Sequence, residues 1–179
     1  MKEFNKCSHL VTNQEDINFI NNKLEELKHT GISPLTYMLQ MQDSLQKTLH
    51  EKYNRTPIPS QMQYTATKGE LSDYIMEQQY AINDEFSELI HSIAGTSKDS
   101  KTASAIWKKW KSEYENIRNE HNTLDLTDEE LLERQFEMVD IMHFIFVCLL
   151  ALGIDSDEKL FTLYALKNKE NLTRYNNNY

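Results

Sequence analysis

Glycine and proline are scarce in this chain, and their scarcity limits the folds that it can adopt. Its 179 residues include only 4 Gly and 3 Pro, the two residue types that most often end helices or form tight turns. Apolar residues recur at three- and four-residue spacing over long stretches, and no stretch alternates as a strand would. We therefore predict an all-α bundle of about five to six helices, forming a single domain over residues 1–179.

Two of the helix starts are marked by residues that cap or begin a helix. Ser33 followed by Pro34 predicts one start, and Thr127 with Glu130 forms a capping box at another. Glycines at 31, 95 and 153 mark helix ends. The predicted helices cover residues 14–30, 34–52, 70–94, 103–121, 128–152 and 157–175, with a loop over 53–68 and a polar turn over 96–101.

Charge and cysteine content exclude several classes of protein. The formal net charge of −9 disfavours a surface that binds nucleic acid, because such surfaces neutralise phosphates with Lys and Arg. Cys7 and Cys148 are two lone cysteines, so we expect reduced thiols rather than a disulfide framework. The N-terminal residues lack the apolar stretch that is typical of a signal peptide, and the apolar run 141–152 is shorter than the roughly 20 residues of a membrane span. We expect a cytoplasmic protein without a membrane partner.

Two pairs of acidic residues stand out on the predicted helices. Glu137 and Asp140 lie three residues apart inside the apolar run 136–150, and Glu85 and Glu88 repeat this spacing on the 70–94 helix. Residues three apart leave the same helical face, and buried carboxylates need compensating cations. Four carboxylates from two helices therefore predict a site between those helices for a hard divalent metal such as Mg²⁺.

Two other interpretations of the acidic pairs remain open. A histidine follows each pair three residues later, at His91 and His143, and this arrangement is typical of ferritin-like di-iron bundles. A helical interaction module without chemistry would also account for the helices, but it leaves the acids in the apolar run without a purpose.

Basic, amide and aromatic residues form three further clusters that suit a nucleotide. Two tryptophans alternate with lysines over 107–111, and the last predicted helix has polar residues along one face. Two glutamines share a face of the 34–52 helix, where a nucleobase edge would pair with buried amides. The candidate substrate-binding residues are Gln42, Gln46, Trp110, Lys111, Tyr164, Lys167, Asn168, Asn171 and Arg174.

Three segments together resemble one enzyme family. They are residues 105–111 (AIWKKWK), 136–144 (FEMVDIMHF) and 163–171 (LYALKNKEN). With the two acidic pairs, they resemble the all-α dUTPase and MazG-type nucleoside triphosphate pyrophosphohydrolases, and most closely the members encoded by T-even-type phages. The resemblance implies hydrolysis of dCTP and dUTP, and of their diphosphates, to the monophosphates, with control of the nucleotide pool as the outcome. Broad activity on nucleoside triphosphates, as in MazG-type members, is the alternative within this family.

The resemblance also implies roles for individual residues. The four carboxylates would bind two or more Mg²⁺ ions, for which Mn²⁺ can substitute, and Glu85 would act as the general base. Trp110 and Lys111 would close over the nucleotide, and the polar residues of the last helix would approach the triphosphate. Family members with this helix pattern resemble homodimers, so a homodimer is expected. Gln42 and Gln46 depart from the Gln and Asn of many dimeric dUTPases, which leaves the choice between cytosine and uracil open.

Overall fold

The computed structural model describes residues 7–53, 57–95, 99–124 and 126–176, and over these residues the chain is helical without strands. The predicted all-α fold is confirmed. Five of the helices have between 17 and 27 residues. The α-helices are α1 (Gln14–Thr30), α2 (Pro34–Tyr53), α3 (Pro59–Thr65), α4 (Lys68–Ala94), α5 (Ser100–Ala103), α6 (Glu115–Asn119), α7 (Asp128–Ala151) and α8 (Asp157–Asn176), and two 3₁₀ helices cover Ser8–Val11 and Ser112–Tyr114.

The predicted helix starts are confirmed by their capping hydrogen bonds. The Thr36 backbone N–H donates to Ser33 Oγ at 3.1 Å, at the start of α2. At the start of α7 the Thr127 N–H donates to the Glu130 carboxylate at 2.9 Å, and the Glu130 N–H donates to Thr127 Oγ at 3.2 Å. These bonds satisfy N–H groups that have no acceptor within the helix.

Two predicted segments differ from the structure. The predicted loop over 53–68 contains α3, whose proline occupies the first turn and whose Met62 is buried against Val147 and Ala151. The predicted helix over 103–121 is divided into α5, a set of turns, a 3₁₀ helix and α6. The chain buries Ala103, Ala105 and Tyr114, and a continuous helix would place the second of these opposite the other two.

The polar turn predicted over 96–101 falls partly on residues 96–98, which lie outside the described residues. The part that is described begins with Asp99, whose carboxylate accepts a 2.9 Å hydrogen bond from the Thr102 N–H. This contact caps α5, which begins at Ser100, so the end of the predicted turn is helical.

The chain divides into two compact units. The first comprises Met1–Asn21 and Met76–Ile145, and the second comprises Asn22–Ile75 and Phe146–Tyr179. A cluster of buried residues in the second unit consists of Met62, Tyr74, Val147 and Ala151. None of the helices in the described part of the chain is long and apolar enough to cross a membrane.

Candidate metal centre

Three acidic side chains from α4 and α7 meet in the first unit. Glu85 on α4 and Glu137 on α7 are partly buried, whereas Asp140 on α7 is exposed. One carboxylate oxygen of each residue lies within 4.8 Å of the others. The structure therefore brings together three of the four carboxylates that the sequence predicts as metal ligands.

The direction of the two helices explains how this cluster forms. Glu85 meets the acids of α7, and about two turns further along α4 the carbonyl oxygens of Ser92 and Ile93 accept hydrogen bonds from Arg134. The C-terminal end of α4 therefore lies beside the N-terminal half of α7. The two helices run antiparallel here, and their acidic faces lie opposite each other.

Glu88 lies one turn after Glu85 and outside the group of three oxygens. It is exposed, yet its negative charge acts on both Glu85 and Glu137 and raises their pKa values. Its predicted role as a fourth metal ligand stays a prediction. A side chain on the open side of such a cluster has room to change rotamer when a cation binds.

The cluster is electrostatically strained without a cation. Partial burial, followed by the charges of Glu88, Asp140 and Glu85, raises the pKa of Glu137 from 4.5 to about 7. Burial and the charges of Glu88 and Asp140 also raise the pKa of Glu85. Carboxylates this close repel each other, and a bound cation would remove the repulsion. The donor set consists of carboxylate oxygens without a histidine, which fits a hard cation such as Mg²⁺.

The sequence of the chain is similar to those of phage enzymes. It is 37% identical to a dCTP pyrophosphatase of Enterobacteria phage T4 over 180 aligned residues, which cover 100% of both proteins. The chain belongs to the phage dCTP pyrophosphatase family. A dCTP pyrophosphatase of Enterobacteria phage LZ5 shows the same identity and coverage. Membership in this family confirms the predicted enzyme class, a nucleotide pyrophosphohydrolase, and does not support the ferritin-like alternative.

A further relative is a longer protein. The chain is 36% identical to a DNA replication protein of Enterobacteria phage T4, over 94% of this chain and 41% of that protein. The pyrophosphatase family sequence thus aligns with a part of a larger phage protein. No family model and no solved structure matches the chain.

The burial of α7 differs from the prediction. The run 136–150 was expected to leave little surface for solvent, but Met138, Val139 and Asp140 are exposed. The helix buries Ile141, Val147 and Leu150 instead. An amphipathic helix hides only one stripe, and an apolar sequence on its other face stays at the surface of the single chain.

A fifth carboxylate near the centre escaped the sequence analysis. Glu133 lies four residues before Glu137, so it shares the face that carries Glu137 and Asp140. Its carboxylate accepts a 3.1 Å hydrogen bond from the Cys7 backbone N–H, which fixes the start of the described chain beside the acids. Burial, and then the charges of Glu133, Asp140 and Glu137, raise the pKa of the Cys7 thiol. The i, i+4, i+7 spacing on α7 was the signal available in the sequence.

The aromatic and basic segment over residues 107–111 lies in the same unit. The rings of Trp107 and Trp110 form an edge-to-face pair with centroids 5.3 Å apart and planes at 77°, and Lys108 Nζ lies 5.5 Å from the Trp107 ring centroid. Trp110 is 69% exposed, and Lys111 is also exposed. The segment therefore presents aromatic surface and positive charge to solvent, and its predicted contact with the nucleotide stays a prediction.

The other predicted substrate contacts belong to the second unit. Gln42 is 4% exposed and Gln46 is half-buried. On α8, Arg174 forms an ion pair with Glu170 at 2.9 Å. The α8 residues Tyr164, Lys167, Asn168, Asn171 and Arg174 are all exposed. Their roles in binding substrate stay predictions.

Proposed function

We propose that this protein hydrolyses dCTP and dUTP to the monophosphates and pyrophosphate, with Mg²⁺ as its cofactor. The observation that carries the proposal is the group of three carboxylate oxygens within 4.8 Å of one another on two antiparallel helices. The support from the comparisons is that two relatives matching over their full length are named dCTP pyrophosphatase. The same chemistry on dCDP and dUDP would give the monophosphates and phosphate.

The acids of α4 and α7 are proposed to hold the cofactor. Glu85, Glu137 and Asp140 would supply the first oxygens, and Glu88 would join them when two or more Mg²⁺ or Mn²⁺ ions are present. The cation would supply positive charge against the triphosphate and would lower the pKa of water in the site. The chain's own part is to place the oxygens and to exclude other orientations of the nucleotide.

Glu85 is proposed as the general base. A water molecule attacks the α-phosphorus, a new O–P bond forms, and the bond to the pyrophosphate oxygen breaks. The Glu85 carboxylate takes the proton of the attacking water. Glu85 is partly buried, so its carboxylate is less solvated than that of an ordinary exposed glutamate and is a better proton acceptor.

Trp110 and Lys111 are proposed to contact the bound nucleotide. The exposed indole face of Trp110 can stack on a pyrimidine, and the ammonium group of Lys111 can pair with a phosphate oxygen. These contacts do not distinguish cytosine from uracil, because both bases present similar faces. The base preference must come from groups that contact the edge of the ring.

We also propose that the protein is a homodimer that acts in the host cytoplasm on free nucleotides and not on nucleic acid. The support for a dimer is the large apolar surface that a single chain leaves in contact with water. On α8 alone the exposed residues include Phe161, Leu163, Tyr164, Leu166 and Leu172. Monomeric proteins rarely expose contiguous apolar patches of this kind.

The test is pyrophosphate release from a panel of deoxy- and ribonucleoside triphosphates, each with Mg²⁺ and with EDTA. Metal-dependent release from dCTP and dUTP is the expected result. Release from every nucleotide would instead assign broad, MazG-type activity. No release, together with iron that purifies with the protein, would support the di-iron alternative and the histidines at 91 and 143.

The matched variants are Glu85→Gln and Glu77→Gln, two conservative changes on the same helix. We expect Glu85→Gln to lower turnover by about 100-fold or more, because a positioned base contributes a factor of that size. Glu77 is exposed and lies about two turns before the cluster, so Glu77→Gln should retain normal turnover. Equal turnover by both variants would show that Glu85 does not belong to the active site.

A further inference from the structure

Arg134 makes an unusual set of contacts with backbone carbonyl groups of the first unit. It lies on α7, and its Nη1 donates to the Asn122 carbonyl oxygen at 3.1 Å. Its Nη2 donates to the carbonyl oxygens of Ile93 at 3.2 Å and Ser92 at 3.4 Å. One side chain of α7 therefore contacts the end of α4 and also the turn that follows α6.

On α7 these contacts lie one helical turn from Glu137, whereas on α4 they lie one turn from Glu88 and about two turns from Glu85. Arg134 precedes Glu137 by three residues, and Ser92 follows Glu88 by four. Because α4 and α7 run antiparallel, the guanidinium group bridges them at the level next to the acidic cluster. A shift of one helix along the other at this point would move Glu85 away from the acids of α7.

The chemistry of the contact is specific to arginine. The last carbonyl groups of a helix carry partial negative charge and have no N–H partner within the helix. A planar guanidinium group carries fixed donors on two terminal nitrogens and can bridge carbonyls of separate elements, whereas a lysine has a single donor atom. The Arg134 Nε is buried without a hydrogen-bond partner in the described part of the chain, so the terminal nitrogens alone hold the group.

The two helices need such a bridge because their acids repel each other. One carboxylate oxygen from each of Glu85, Glu137 and Asp140 lies within 4.8 Å of the others, and repulsion between like charges at this distance pushes α4 and α7 apart when no cation is bound. A contact that holds the helices at a fixed distance keeps the carboxylate oxygens close enough to share an ion. The hydrogen bond to Asn122 also connects α7 to the end of the segment that carries the tryptophans.

We propose that Arg134 is a positioning residue that sets the spacing of α4 and α7 and thereby preorganises the metal centre. The proposal rests on the proposed function, since it assigns the acids a divalent cation. Arg134 touches neither the nucleotide nor the ion in this proposal. It acts through Glu85 and Glu137, and its loss should weaken the binding of the cation more than the binding of the nucleotide.

The test uses Mn²⁺ alone as the probe and compares Arg134→Lys with Arg118→Lys in the full chain. Arg118 also donates to a backbone carbonyl, that of Ile106, but it lies on α6 and does not bridge α4 and α7, so it is the matched control. We expect Arg134→Lys to weaken Mn²⁺ binding about tenfold or more, as is usual when a group that orients ligands is lost. Arg118→Lys should bind Mn²⁺ as the unchanged protein does.

Activity gives the second readout. The Mg²⁺ concentration for half-maximal pyrophosphate release should rise with the loss of Mn²⁺ affinity in Arg134→Lys, while KM for dCTP at saturating Mg²⁺ stays within about threefold, because only metal binding is affected. Free guanidinium ion should restore Mn²⁺ affinity to Arg134→Ala and leave Arg118→Ala unchanged. Circular dichroism should show the same helix content in all variants.

The outcomes separate this proposal from the proposed function. Mn²⁺ binding by the unchanged protein and equally by Arg134→Lys would overturn the positioning role and leave the metal centre standing. Absence of Mn²⁺ binding in the unchanged protein would overturn the metal centre itself, and the positioning role with it. Loss of helix content in Arg134→Lys, with no rescue of Arg134→Ala by guanidinium, would show that Arg134 serves folding and would overturn the proposal.

Discussion

At the scale of single residues, the ionisation of Glu137 is unfavourable unless a cation is present. Its pKa is raised to about 7 by burial and by the neighbouring acids, whereas the unfolded chain should titrate near the ordinary value of 4.5. The folded state therefore binds the proton more tightly than the unfolded state. This group contributes full stability below pH 4.5, and its contribution is lost as the pH rises to about 7.

The first prediction follows from this loss of stability with rising pH. Without divalent metal, the free energy of unfolding should fall between pH 4.5 and 7, and Glu137→Gln should flatten the decline. At pH 7.5 the variant should be more stable by about 1 kcal/mol, a value that allows for solvent screening of a partly exposed group. Urea unfolding with EDTA at several pH values measures it. A steeper decline in Glu137→Gln than in the unchanged protein would contradict the assignment.

The second prediction concerns the competition between protons and metal. A carboxylate must lose its proton to bind a cation, so affinity should increase as the pH passes through the pKa of Glu137, about 7. Mn²⁺ titrations at pH 6 to 8 should show about a tenfold gain in affinity per pH unit below that pKa, where one proton is released. Glu77→Gln is the control and should show the same dependence. A pH-independent affinity would exclude Glu137 as a ligand.

At the scale of helices, the caps tie sequence directly to structure. The third prediction is that Thr127→Ala lowers the free energy of unfolding by about 1 kcal/mol, because the capping box at the start of α7 is lost. Thr173→Ala is the control, since the Thr173 hydroxyl bonds to the Lys169 carbonyl within α8 and does not cap a helix start. That change should have little effect on unfolding. If both changes lowered the free energy of unfolding equally, the capping box would not stabilise α7.

The fourth prediction concerns the turn after α7. Gly153 has a φ of +74°, and a Cβ there would collide with the Gln63 side chain of α3. Gly31 has nearly the same φ, +71°, but its added Cβ would meet nothing within 4 Å. Both Gly→Ala changes carry the backbone strain of a left-handed residue, roughly 1 kcal/mol. The atoms that the Cβ would meet are the end of the flexible, exposed Gln63 side chain, which can rotate away, so thermal unfolding should show similar losses for the two variants. A clearly larger loss for Gly153→Ala would show that Gln63 is held in place.

Whether an element could be predicted depended on where its determinants lie. The ends of α1, α2 and α4 follow from caps, periodicity and glycine, which are local in sequence. The division of the 103–121 segment depends on which side chains the rest of the unit buries, and no local pattern encodes that. The same holds for the site. The acidic pairs can be recognised by their spacing, whereas Arg134 donates its hydrogen bonds to backbone oxygens, which every residue type carries.

At the scale of the whole molecule, α8 stands out because its apolar side chains are exposed to solvent. Its side chains from 161 to 175 are all exposed, and Phe161 is exposed by 71%. Isolated helices of this length are marginal in water and are normally stabilised by packing an apolar face. The apolar side chains of α8 therefore need a further protein surface to cover them, and a second copy of the chain would provide it.

The fifth prediction tests the proposed homodimer at this helix. Phe161→Asp should shift the protein toward a monomer, because a charge would replace an apolar side chain at the covered surface. Its neighbour Thr162 is also exposed, so Thr162→Asp adds the same charge beside it and should leave the dimer largely intact. Light scattering with size-exclusion chromatography measures both. A monomeric unchanged protein would exclude the dimer, and a dimeric Phe161→Asp would move the interface away from α8.

The edge-to-face pair of Trp107 and Trp110 has a practical consequence. The chain has 2 Trp, and both are in this pair, so the ultraviolet emission of indole reports on this segment and on nothing else in the protein. A ligand that separates the rings, or that covers the exposed one, will alter the intensity or colour of that emission. The protein thus contains its own optical reporter, and titrations with nucleotide or metal can be followed in solution without attaching a dye.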